Sequence, residues 1–285
     1  MRHMRYNVLE KHLAKHFDVT PDALLSRSDA DAAYGRKRAE QGFLERPGEL
    51  LSDEVEKLKK GDGLRLLMLA FSPHTISGDD VCPHSTPGCR KHCVAFSGNG
   101  KYDAVTRARI ARTRLMIDEP LAFLSLLVHL LDKEAAKSPL AVRLNGFSDI
   151  RWEKVLPEWF WTRYATVTFY DYTKHSSLSR PSTALPGNYT LTYSVTERTT
   201  AKQFQRELST RNVAVVVETR GGTLRATGKY RDLPVIDHPT VDGDKNDRRF
   251  DDPKGSIVML RRKGTLPIDD PLVVPVRRLE KMLVQ

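Results

Sequence analysis

Three cysteines in 285 residues are too few, and odd in number, for a disulfide framework. No fourth cysteine exists to close an all-cysteine zinc site. No apolar run approaches the roughly 20 residues of a membrane span. No signal-peptide-like apolar core follows the polar start MRHMRYNVLEKHLAKHF. The chain is therefore expected in the cytoplasm, where thiols stay reduced, with no membrane as partner. The absence of a GxGxxG after any apolar run argues against a dinucleotide-binding sheet. Nor does an H-x-E precede a P-C-x-x-C, which argues against a deaminase-type zinc site. Internal repeats and low-complexity tracts are also missing.

What is present describes a globular chain, 40% hydrophobic and 29% charged. Its length allows one α/β barrel or two smaller domains. Lys and Arg number 46 against 36 Asp and Glu, a net charge of +10. That excess favours a polyanionic partner, nucleic acid or a nucleotide, through counterion release. The basic residues are dispersed, and the plainer reading is a basic solvated surface.

The three cysteines, Cys82, Cys89 and Cys93, all fall within the twelve residues CPHSTPGCRKHC. Such clustering calls for a chemical reason, and three thiolates on one loop suit a centre with one position left open. The candidates are an iron–sulfur cluster or a zinc completed by His84, His92 or water. His92 directly abuts Cys93, which makes shared ligation awkward; His84 has more freedom.

The first 60 residues read as a helical N-terminal cap. YNVLEKHLAKHF spaces Val8, Leu9, Leu13 and Phe17 along one helical face. Thr20 and Pro21 supply an N-cap and an N1 proline for a short helix with Leu24 and Leu25. The charged stretches RSDADAAYGRKRAEQ and LSDEVEKLKKGDG bracket the rest. From Leu64 the rhythm changes. Short strand-like runs are expected at 64–71, 140–146, 166–172, 189–195, 213–217, 233–237 and 256–260, mostly separated by helical or loop segments. GKYDAVTRARIARTRLMIDEPLAFLSLLVHLLDKEAAK reads as two helices divided near Asp118–Pro120, and TTAKQFQRELSTR as a later helix. The alternation predicts a full or partial (β/α) barrel over 61–265, with 266–285 as a C-terminal extension.

Chemical groups recur after the expected strands. The cysteines follow the first, and Asn145, Ser148 and Asp149 follow the second. Thr173 and Lys174, then Thr196 and Glu197, then Glu218, then Asp237 and His238 come after later ones. In parallel α/β barrels the ligand site forms at the C-terminal strand ends. The plainer reading for any one of them is a solvated loop residue.

A strand, a three-cysteine loop and then alternating helices and strands resemble the radical S-adenosylmethionine (SAM) enzymes, and more closely the phage-encoded three-cysteine families related to them. CPHSTPGCRKHC, NGFSD, TFYDYTK, YTLTYSV and VDGDKNDRRFDDPKGSIVMLRRKG carry the resemblance, over about 64–265. It implies a radical-SAM-type barrel in which Cys82, Cys89 and Cys93 hold a [4Fe–4S] cluster and the remaining iron binds SAM. It also implies that NGFSD takes the place of the SAM-contacting segment after the second strand. Asp149 or Ser148, beside Asn145, would then meet the SAM amino group, while Lys174, Ser194 and Glu218 occupy later strand ends where ribose, carboxylate and substrate contacts fall. The spacing here is C-x6-C-x3-C against the family's common C-x3-C-x2-C, and Val94 stands where an aromatic residue often follows. The expected function is modification of nucleic acid or a nucleotide by an iron–sulfur, radical-SAM-like phage protein. The alternative is a zinc-stabilised, non-catalytic barrel that binds nucleic acid or a partner protein.

Three further motifs have competing readings. TRARIARTRL places Arg107 and Arg114 on one face, with Arg109 and Arg112 as neighbours, for phosphate binding or simply a solvated basic face. VDGDKNDRRFDDP carries Asp242, Asp244 and Asp247 but lacks the glycine and glutamate of an EF-hand; its Asp and Arg side chains would order a loop instead. The three tryptophans of RWEKVLPEWFWTRY are expected to pack a helix, not to stack bases.

Overall fold

A computed structural model of the chain describes residues 4–25, 50–53, 63–218, 233–263 and 266–284. The charged stretch at 27–41, residues 54–62 of the one at 51–63, and with them the expected boundary at residue 60, lie outside the described residues. In chain order the helices are α1 (Tyr6–Phe17), α2 (Pro21–Leu25), α3 (Pro87–Lys91), α4 (Asp103–Asp118), α5 (Pro120–Ala135), α6 (Trp152–Val155), α7 (Glu158–Arg163), α8 (Ala201–Leu208) and α9 (Val276–Val284). The strands are β1 (Leu51–Asp53), β2 (Arg65–Leu69), β3 (Leu140–Arg143), β4 (Thr168–Thr173), β5 (Tyr189–Ser194), β6 (Val213–Val217), β7 (Thr240–Asp242) and β8 (Ile257–Arg261).

Two units are formed. One comprises Met1–Pro83, Gly100–Tyr170 and Leu185–Tyr189; the other comprises His84–Asn99, Asp171–Ala184 and Thr190–Gln285. In the first, β2, β3 and the start of β4 run parallel, and β1 pairs with β2 antiparallel. Leu140, Ala141 and Val142 are buried in succession, as befits a parallel strand covered on both faces. Helix α1 buries Leu9, Leu13 and Phe17 with Tyr6 and Glu10. Val8 is 48% exposed, because one residue's 100° rotation carries it off the 9/13/17 stripe. Thr20 caps α2 by accepting from the Ala23 amide at 3.2 Å. Glu119 adopts extended φ −134° ahead of Pro120, and this separates α4 from α5. The rings of Phe17, Phe71, Phe123 and Trp152 then pack together, Phe71 lying 5.9 Å from Phe123 and 6.1 Å from Trp152. Each fully buried side chain of this kind contributes about 1.5–3 kcal/mol.

The second unit pairs β5 with β6, β6 with β8, and β8 with β7, all parallel. Its core joins Tyr193, Phe204, Val213, Val215, Val217, Ile257 and Met259 to Leu279 and Met282 of α9. Thr200 caps α8 through the Gln203 amide at 3.2 Å.

The architecture is mixed α/β with a mostly parallel sheet. Among the described residues β1 and β7 each have a single strand neighbour, so the strands do not close into a full barrel. Both edge strands are three residues long, and β1 is also antiparallel. The strand expected at 233–237 does not form. Pro234 has no amide to offer a ladder, and Val235 is 93% exposed. The edge position goes instead to Thr240–Asp242, which pairs from Thr240 opposite Ile257. Among the described residues no helix is long and apolar enough to cross a membrane.

Candidate functional site

In the first unit, the segment from β2 to Cys82 is tied down at each step. The Ser72 amide donates to Thr113 Oγ1 at 2.9 Å, and Arg114 of α4 reaches Asp79 at 2.6 Å. Asp80 Oδ1 accepts from the Cys82 amide at 2.9 Å, a local turn that sets the cysteine's backbone. His74 has φ +42°, a left-handed conformation rare outside glycine. Its amide donates to Cys82 Sγ at 3.3 Å, and the thiol donates to the Phe147 carbonyl at 3.2 Å.

Phe147 belongs to NGFSD, so that segment does lie against Cys82. Gly146 makes the approach possible. A Cβ there would stand 2.7 Å from the Met68 side chain and 2.9 Å from the Leu69 carbonyl oxygen. Asn145 is buried, and its Oδ1 accepts from Ser148 Oγ at 2.8 Å, the Ile150 amide at 2.9 Å and the Trp152 indole at 3.2 Å. Its Nδ2 donates to the Ile150 carbonyl at 2.9 Å. Asn145 and Ser148 therefore direct these atoms inward and shape the turn. The Asp149 amide donates to the Val81 carbonyl at 2.8 Å, and its own carbonyl accepts from the Tyr6 hydroxyl at 3.1 Å. Tyr6 also donates to Glu10, which holds Arg151 Nε at 2.8 Å. Burial, then the charges of Glu10 and Asp149, push the Tyr6 phenol far above its usual value.

In the second unit, Thr86 is the N-cap of α3 and accepts from the Cys89 amide at 3.2 Å, with Pro87 in the first turn. The Thr86 hydroxyl donates to Glu197 Oε2 at 2.6 Å, and the Gly88 amide donates to Glu197 Oε1 at 3.1 Å. Burial alone would raise the Glu197 carboxyl. The Thr86 hydroxyl and the Gly88 amide help to outweigh it and hold the group below its usual range. His92 Nε2 stands 2.9 Å from Asp270 Oδ2, and the His84 and His175 rings meet edge to face at 4.4 Å. All three cysteines are half-buried, and none is in a disulfide. Among the described residues no group of three or more His, Cys, Asp and Glu is gathered as a metal site.

The later strand ends are occupied as follows. Lys174 directly follows β4 and its charge acts on the Tyr193 phenol. Ser194 ends β5 and pairs with Ala214. Glu218 lies four residues beyond Ala214, about 13 Å along an extended chain, so register does not bring Ser194 and Glu218 together. The Glu218 amide donates to the Val274 carbonyl at 3.2 Å. His238 Nε2 lies 2.9 Å from the Gly255 carbonyl oxygen.

A buried ion pair was not singled out in the sequence. Glu207 is fully buried and accepts from both the Ser177 amide and hydroxyl, from Ser176 Oγ at 3.1 Å, and from Arg211 Nη2 at 2.6 Å. Arg211 in turn donates to the His175 carbonyl at 2.7 Å, so one pair anchors the segment after Lys174. Burial opposes ionisation of Glu207, but the Arg211 guanidinium and the Ser177 amide hold its carboxyl below the usual range. The i,i+4 spacing of Glu and Arg in RELSTR was the available signal.

The arginines of α4 do not form one solvated face. Arg109 lies over the Phe147 ring at 4.2 Å, Arg112 points to the Ala70 carbonyl at 3.4 Å, and only Arg107 of the four is exposed. The acidic distal loop is ordered by ion pairs. Arg261 binds both oxygens of Asp242, at 2.6 and 2.9 Å, and Lys263 Nζ lies 3.2 Å from Asp244. Trp152 and Trp161 are buried, and Trp159 donates to the Val19 carbonyl at 2.7 Å, which is packing, not base stacking.

A family model described as Gene product 88, a phage-type family, matches residues 44–274. No curated protein and no solved structure matches the chain.

Proposed function

The chain belongs to the Gene product 88 family. From its own cysteine cluster and charge, we propose that it is an iron–sulfur protein of radical-SAM-like type that modifies nucleic acid or a nucleotide. Cys82, Cys89 and Cys93 would hold a [4Fe–4S] cluster within a partial barrel. The observation that carries this reading is the clustering of the sulfurs: three half-buried cysteines within twelve residues, none in a disulfide, and one receiving a backbone amide. The donor set fits a cluster in kind, since soft thiolates select iron–sulfur centres and amide hydrogen bonds to sulfur tune them. When bound, such a cluster supplies single-electron reduction at the iron that lacks a thiolate.

The protein's own residues divide the remaining work. Asn145 and Ser148 build the turn that sets Phe147 against Cys82, and Asp149 or Ser148 of NGFSD would meet the SAM amino group. Lys174, Ser194 and Glu218 are retained as candidate contacts for the rest of SAM or the substrate. Arg90 and Lys91 are exposed between Cys89 and Cys93, where they can attract the phosphates of a nucleotide to the loop.

One observation favours a second reading. His92 Nε2 stands 2.9 Å from Asp270 Oδ2 without hydrogen-bond alignment, a placement from which the carboxylate could come to support a zinc ligand, with Nδ1 serving a site of three cysteines and one histidine. Anaerobic purification separates the two. Iron with acid-labile sulfide, and visible absorbance lost in Cys89→Ala, supports the cluster; one zinc and no sulfide overturns it. Reduction with SAM should then release 5′-deoxyadenosine, and a fully loaded protein that releases none is not a radical enzyme. Nucleic-acid binding should weaken steeply with salt, and a flat salt response removes that partner.

A further inference from the structure

We propose that Glu197 is a positioning residue for Cys89, a carboxylate clasp that sets the cysteine-bearing turn for metal ligation. The inference rests on the metal-binding reading above. A threonine hydroxyl has one proton, and in Thr86 it goes to Glu197 Oε2 at 2.6 Å. The Thr86 oxygen is thereby fixed with a lone pair toward the Cys89 amide, 3.2 Å away. The other carboxylate oxygen takes the Gly88 amide at 3.1 Å, so both oxygens are committed to one turn.

There is no slack in this arrangement. A Cβ on Gly88 would lie 3.1 Å from Glu197 Oε1 and 3.2 Å from Leu272 Cγ. Glu197 itself sits in a braced turn, where the Thr196 amide donates to Thr199 Oγ1 at 3.0 Å and the Arg198 amide to Thr196 Oγ1 at 3.2 Å. The clasp joins residues more than 100 positions apart. The geometry of the Cys89 turn therefore depends on the segment that follows β5. Charge-assisted bonds of this type are stronger than neutral ones, and the isosteric amide retains only one of the two acceptor oxygens.

The test uses the full chain. Alkylation by iodoacetamide is followed at each cysteine by peptide mass spectrometry in metal-free protein, and cobalt(II) is titrated through its thiolate absorption. Glu197→Ala is expected to speed Cys89 alkylation about fivefold, the scale of a lost helix cap, with Cys82 unchanged. Cobalt affinity should fall about tenfold, the scale of a lost outer-shell partner. Thr86→Ala should reproduce both effects and Thr86→Ser should restore both, which a general loss of structure would not do. Unchanged Cys89 alkylation in a Glu197→Ala protein with wild-type circular dichroism overturns the positioning inference. Wild-type protein that binds neither cobalt nor iron instead overturns the metal reading on which it rests.

Discussion

Cys82 and Cys89 have six residues between them, yet their surroundings are held by different chemistry. At Cys82 neutral groups (a backbone amide to sulfur, a buried asparagine and a glycine pressed against Met68) work beside the Asp80 carboxylate on the cysteine's own amide and the Asp79–Arg114 pair. The Cys89 side relies on the Glu197 carboxylate, and elsewhere in the same unit the Lys174 segment relies on Glu207 with Arg211. Neutral supports specify shape and are insensitive to pH. Carboxylate supports are stronger per bond, but they are lost when the carboxylate is protonated.

Removing Glu207 should do the most damage. Glu207→Ala leaves the Arg211 guanidinium buried without its anion, an expected loss of about 3–5 kcal/mol in denaturant unfolding. Its pH signature follows from the depressed folded pKa of Glu207. The stabilisation is fully present above the unfolded value of about 4.3 and is lost as pH falls through the folded value. Amide protection factors across 175–180, corrected for the intrinsic pH dependence of exchange, should therefore fall on acidification in wild type and change less in Glu207→Gln. An equal response in both would break the contrast between charged and neutral supports.

Asn145→Ala comes next. It strands the Ser148 hydroxyl, the Ile150 amide and the Trp152 indole, for an expected cost of about 2–3 kcal/mol and a shift in Trp152 fluorescence. Gly146→Ala forces a methyl into the Met68 side chain and the Leu69 carbonyl, at about 1–3 kcal/mol by thermal unfolding. Thr86→Ala removes a cap for about 1 kcal/mol, read as local exchange at Cys89. Arg107→Ala should be the smallest, within about 0.5 kcal/mol, because this side chain is exposed. A large effect there would show that the basic helix has a partner its inward-turned arginines do not explain.

Much of the chain's organisation was legible locally. The helix of Leu9, Leu13 and Phe17, the break at Glu119–Pro120 and the caps at Thr20 and Thr200 all follow from spacing and side-chain chemistry within a few residues. Six of the expected strand-like runs have counterparts in β2 to β6 and β8. The failure at 233–237 was also readable, since Pro234 cannot join a ladder. What local reading missed was the use of the polar residues. Asn145, Arg109 and Arg112 have the composition of a ligand site, but each is turned toward its own fold.

By itself the sequence determined the α/β alternation, the family's reach over 44–274 and the gathering of all three thiols in one short stretch. Those properties depend on periodicity, composition and covalent order, which need no distant partner. Only the tertiary structure decided that Glu197 holds Thr86 and Gly88, that Glu207 holds Ser176 and Ser177, and that Gly146 must lack a side chain. The first two join residues about 30 to 110 positions apart, and the third sets Gly146 against Met68. Strand register and helix packing determine such meetings, and no local period in the chain encodes them.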